Sequence, residues 1–95
     1  EAALFTISAE RLTQKLRAAA LAEPRMREVA LPVPHQLRFI ETSPLLRMET
    51  VIDVRIVPRS SGASTLALLG RPTGPLLDFG ATQARLRQLI EAIAR

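Results

Sequence analysis

Between Thr50 and Val57 the apolar residues Ile52, Val54 and Ile56 alternate strictly with Asp53 and Arg55. A period of two places the three β-branched side chains on one side of an extended chain and the charged pair on the other. A strand of this kind has one buried and one wet face, the pattern of an antiparallel sheet covered on one side only. Parallel sheets, which are covered on both faces, require near-continuous apolar runs instead.

The rest of the chain falls in around that strand. Ala3-Leu4-Phe5-Thr6-Ile7 reads as a short strand with Phe5 and Ile7 on one face. Ser8 is then an N-cap with Glu10 in the first turn, and Leu12, Leu16, Ala19 and Ala20 recur at helical spacing, which predicts a helix over 9–23 ended by Pro24. Short runs follow: Glu28-Val29-Ala30-Leu31, then His35 to Glu41 with Leu37 and Phe39 alternating. Beyond the 50–57 strand, Arg59 to Ser64 has hairpin-loop composition, so Ser60, Ser61 and Ser64 are read as turn residues; Thr65 to Leu69 returns as a strand and Gly70 to Pro75 reads as irregular. Phe79, Leu86, Leu89, Ile90 and Ile93 mark one face of a final helix. The order strand, helix, four strands, helix (β-α-β-β-β-β-α) predicts an α+β two-layer sandwich: an antiparallel, about five-stranded sheet with both helices on one face and the other face wet.

A chain of 95 residues is a single domain, and its 47% apolar content supplies a core. With three aromatics (Phe5, Phe39, Phe79) that core must be aliphatic, and with no cysteine it has neither disulfides nor thiolate metal sites. Twelve arginines and one lysine give net +4 and a pI near 11.3. These charges are scattered among nine acids instead of clustering with aromatics, which argues against a nucleic-acid footprint; peripheral contact with anionic lipid is compatible with the basic balance. No run approaches the roughly 18 apolar residues of a membrane span. The chain opens on Glu1, so a signal or anchor upstream is an expectation this reading leaves open.

Catalytic constellations are hard to assemble from these residues. Asp78-Phe79-Gly80 resembles the magnesium-binding segment of kinases, but the glycine-rich loop, the paired lysine and the catalytic asparagine are missing. Asp78 is better read as a helix cap. His35 has no second histidine or cysteine to complete a zinc site and reads as an exposed strand-edge residue. Asp78, Gly80, Arg85 and Arg87 could gather an anion at a helix start, against the simpler reading that Asp78 caps while the arginines face solvent or pair with acids. No cofactor is called for.

Three segments, "LAEPRMRE", "RFIETSPLLRMETVIDVRIVP" and "TLALLGRPTGPLLDFGATQARLRQLIEAIA", together resemble the bacterial and plastid family called domain of unknown function 1499. Ser43, Leu45, Arg55, Arg71, Asp78, Gly80 and Arg85 match its pattern; Met48-Glu49-Thr50, Thr73 and Thr82 depart from it. The departures remove polar positions of a shared family site. The resemblance implies a domain on the periplasmic or lumenal side of a membrane, secreted or anchored by an upstream helix.

These readings lead to a non-enzymatic accessory subunit that binds a membrane protein complex on the periplasmic side. Its candidate interface is the set of apolar residues in connections, Leu45, Leu46, Met48, Leu76 and Leu77. Arg71, Asp78, Gly80 and Arg85 are the candidate anion or family motif. The alternative is a module holding a small apolar, lipid-like ligand between sheet and final helix.

Overall fold

The structure, a computed structural model, describes residues 2–43, 48–72 and 81–94. Seven elements follow in the order β1 (Ala2–Phe5), α1 (Ala9–Leu21), β2 (Met26–Val29), β3 (Gln36–Thr42), β4 (Glu49–Ser60), β5 (Ala63–Pro72) and α2 (Ala81–Ala94). The five strands form one sheet in the order β1-β5-β4-β3-β2, every neighbouring pair antiparallel. Strands β2 to β5 are a meander, and β1 closes the far edge by pairing Ala2 to Phe5 with Ala67 to Ser64. This is the α+β sandwich that the alternation and the helical stripes predict.

Local chemistry sets the element ends. The Ser8 side chain accepts a hydrogen bond from the Arg11 amide at 3.2 Å, satisfying one of the free donors that open α1. The helix stops at Leu21 with Ala22 as C-cap, two residues before Pro24. The β4–β5 hairpin is tighter than its composition suggests. Ser60 ends β4 and its hydroxyl accepts from the Gly62 amide, leaving Ser61 and Gly62 as the turn. Ser64 is thus not a turn residue but a fully buried strand residue, whose hydroxyl donates to the Ile7 carbonyl at 2.9 Å. That bond ties the β1–α1 connection to β5, and a buried hydroxyl without it would carry a desolvation cost. Gly70, Arg71 and Pro72, read as irregular from composition, continue β5.

Proline inside β4 has a positional reason. Strand β3 begins at Gln36 opposite Arg55, so beyond Arg55 and Ile56 the β3 side of β4 is an edge, where a missing N–H is tolerated. A register shift between Pro58 and Ser60 accompanies it.

The core lies between the sheet and the two helices. Leu12, Leu16 and Ala20 of α1 and Leu86, Leu89 and Ile93 of α2 meet Leu37 and Phe39 of β3, Ile52, Val54 and Ile56 of β4, and Leu66 and Leu68 of β5. Each large aliphatic or aromatic side chain buried here contributes about 1.5–3 kcal/mol. Phe5 and Ile7 pack against the rim of this cluster.

Candidate interaction surface on the open sheet face

Side chains alternate across a strand, so the register that buries Leu37, Ile52 and Leu66 turns their neighbours to the uncovered face. Pairing arranges those neighbours in rows across the strands. Leu4, Thr65 and Val57 form one row; Ala67, Arg55 and Gln36 the next; Leu69, Asp53, Arg38 and Val29 the third; Arg71, Val51, Ile40 and Arg27 the fourth. Rows lie about 6.8 Å apart along the strands, and strands about 4.8 Å apart across the sheet. Leu4 is 67% exposed, Leu69 59% and Val57 37%.

Asp53 organises the polar middle of this face. Arg38 Nε donates to its Oδ1 at 2.7 Å and Arg71 Nη2 to its Oδ2 at 2.8 Å. Partial burial pushes the Asp53 carboxyl up, but the hydrogen bonds and charges of Arg38 and Arg71 outweigh that, and its pKa lies below the ordinary value. One carboxylate held by two guanidiniums leaves the group with an excess positive charge. Arg27 pairs with Glu49 at 3.0 Å and Arg59 donates to the Thr65 hydroxyl at 2.9 Å. Arg55, exposed beside Gln36 and Ala67, makes no ion pair among the described residues. Among the described residues the open face carries five arginines and two carboxylates, a net +3. A concavity of about 420 Å³ crosses β3, β4 and β5 here, with Leu31, Arg38, Asp53, Arg55 and Leu69 in its lining.

The covered side holds a second ionic group with a different role. Arg85 of α2 donates to both oxygens of Glu41 on β3, at 2.6 Å through Nη2, and pairs with Glu23 at 2.9 Å through Nη1, beside Gln88. Gln88 in turn donates to Glu23 at 2.9 Å. The hydrogen bond to Glu41 raises the Arg85 pKa, and partial burial opposes it without cancelling it. The group links α2 to the segment after α1 and to β3, which is structural work. Arg17 of α1 does the same to Glu28 of β2, at 2.8 Å and 3.0 Å.

The sequence-derived candidates are thereby separated. Arg71 lies on the open face with Asp53, whereas Arg85 lies on the helix-covered face with Glu41, so these two arginines share no anion site. Asp78 and Gly80 fall outside the described residues, as do Leu45, Leu46, Leu76 and Leu77. Met48 is described: it is half-buried, and its carbonyl accepts from the Ser43 amide at 2.7 Å. His35 does not begin a strand; it is an exposed residue at φ 60°, immediately before β3, and its carbonyl accepts from the Ile56 amide. Its left-handed backbone serves the entry into β3. Among the described residues no three histidines, aspartates or glutamates gather as metal ligands, and no helix is long and apolar enough to cross a membrane.

The 50–57 alternation already points Asp53 and Arg55 away from the core. Leu4, Leu69 and Arg38 escape notice in the sequence, because their exposure depends on which strands become their neighbours. Comparison with protein-family models, curated proteins and solved structures finds no match for this chain.

Proposed function

We propose that this chain is a non-enzymatic accessory subunit that binds another protein within a membrane complex, on the periplasmic side. The observation that carries the binding role is the open sheet face, where Leu4, Val57 and Leu69 stand exposed around ion-paired arginines. Apolar side chains rimmed by polar groups are what a partner surface covers. The periplasmic side comes from the family resemblance. Leu45, Leu46, Met48, Leu76 and Leu77 remain part of the proposed interface on the strength of the sequence.

The alternative ligand module has less behind it. Between sheet and helices Phe39, Leu12, Leu16, Leu89 and Ile93 are fully buried against one another's elements, as packed core side chains are. The 420 Å³ concavity exceeds the roughly 300 Å³ lower bound for a ligand pocket, but it opens on the opposite face and is lined in part by Arg38, Asp53 and Arg55.

Native mass spectrometry of the chain, purified from detergent-solubilised membranes of its own organism, tests the proposal. The expected result is a stoichiometric protein partner that is lost in a Leu4→Arg, Leu69→Arg double variant. A chain recovered alone, or carrying only a small extra mass, would overturn it.

A further inference from the structure

We propose that the open sheet face docks an acidic, amphipathic helix of the partner, with Arg55 and Arg71 as its carboxylate anchors. The inference rests on the binding-subunit reading above and adds to it the chemistry of what is bound.

Charge narrows the occupant first. A face with net +3 repels an identical face, so a second copy of this chain packed sheet to sheet would bring like charges together in a desolvated layer. Nucleic acid would find the charge but, among the described residues, no aromatic stacking platform on this face, since Phe5 and Phe39 are both turned toward the helices. What remains complementary is an acidic surface that also offers apolar contact.

Shape narrows it further. The concavity spans three strands, about 10 Å across at the usual strand spacing, which matches the roughly 10–12 Å diameter of an α-helix with its side chains. Its lining is apolar at both margins, Leu31 on one side and Ala67 and Leu69 of β5 on the other. The partner's apolar stripe would lie on these.

The anchors follow from the rows. Arg55 and Arg71 sit two rows apart on adjacent strands, so roughly 14 Å separates them. A helix aligned with the strands rises about 1.5 Å per residue, so carboxylates eleven residues apart lie on one face about 16.5 Å from each other, and the length of the glutamate and arginine side chains takes up the difference of about 2–3 Å. Among the described residues Arg55 has no ion pair to give up, and Arg71, its side chain 55% exposed, shares its carboxylate with Arg38. A new carboxylate at either position therefore adds a charge-assisted hydrogen bond without stripping the fold of one.

The test uses a fluorescein-labelled 20-residue helical peptide of Ala, Leu, Gln and Glu, with one Leu stripe and glutamates eleven residues apart. Its twin carries Lys for Glu, and vesicles of phosphatidylglycerol and phosphatidylcholine are the third probe. Expected are binding of the acidic peptide, at least about tenfold weaker binding of the lysine twin, and amide NMR shifts concentrated on β3, β4 and β5 at open-face residues. Arg55→Glu should weaken the acidic peptide about tenfold and favour the twin, whereas Arg11→Glu on α1, the same change in net charge, should leave both unchanged. Arg71→Gln supplies a milder second variant. Equal affinity for the twins, equal effects of Arg55→Glu and Arg11→Glu, shifts on the helices, or binding to vesicles alone would overturn the inference. If the peptide fails while native mass spectra still show a stoichiometric partner, the subunit reading stands and only the acidic helix is lost. A chain that also comes from membranes alone removes both.

Discussion

Asp53 shows how a single residue can be structural and yet shape a surface. It is the negative centre that lets Arg38 and Arg71 lie side by side on an otherwise basic face, at 2.7 Å and 2.8 Å. Its folded pKa lies below the unfolded value of about 3.9. A depressed carboxylate contributes stability that is fully present above the unfolded pKa and is lost as pH falls through the folded one. Thermal melts of wild type and Asp53→Asn between about pH 2 and 7 should therefore show a gap of about 1 kcal/mol at neutral pH that closes below about pH 4. A gap that persists at the acid end would mean that packing, not charge, accounts for the difference. Arg85 is the counter-example at the same scale. It too holds carboxylates, but it belongs to α2, is half-buried, and pairs with Glu41 and Glu23 on the helix-covered side of the sheet. Nothing in the sequence separates these two arginines, because each meets its acids across long stretches of chain.

At the scale of elements, the glycine of β5 governs how α2 seats. A Cβ added at Gly70 would collide with the Thr82 side chain and meet Leu86, so the first turn of α2 lies on β5 at a distance only glycine allows. Gly70→Val forces the helix outward, and urea denaturation should show a loss of about 1–3 kcal/mol, the usual range for overpacking. An unchanged midpoint would mean that α2 shifts freely. The helical stripes Leu12, Leu16, Ala20 and Leu86, Leu89, Ile93 are legible in the sequence because burial on one face imposes the 3.6-residue period. The ends of strands are less legible. Strand β4 runs through Pro58 to Ser60, and β5 from Ala63 to Pro72, past residues whose composition signals a loop. Pairing along the hairpin overrides that local signal, since each added ladder position satisfies backbone groups that a loop would have to leave to water.

For the whole molecule, one-sided coverage is the property that matters. Two helices cover one sheet face and pack against each other, and among the described residues nothing lies over the other face. If that face serves binding and not folding, Leu4→Lys combined with Leu69→Lys should leave stability within about 1 kcal/mol of wild type, as expected for exposed sites. A larger loss in denaturant titrations would show that these leucines support the sheet itself. The sequence by itself determined the class of fold, the order of elements, the aliphatic core and the presence of a wet face, because burial on one side writes periods of two and 3.6 into neighbouring residues. Only the tertiary structure decided that β1 joins β5, that Asp53 gathers Arg38 and Arg71, that Arg85 turns inward to Glu41, and that Arg55 and Leu69 share one open surface. Those are pairings between distant stretches of chain, and register, which sets them, is a property of two strands and not of either one alone.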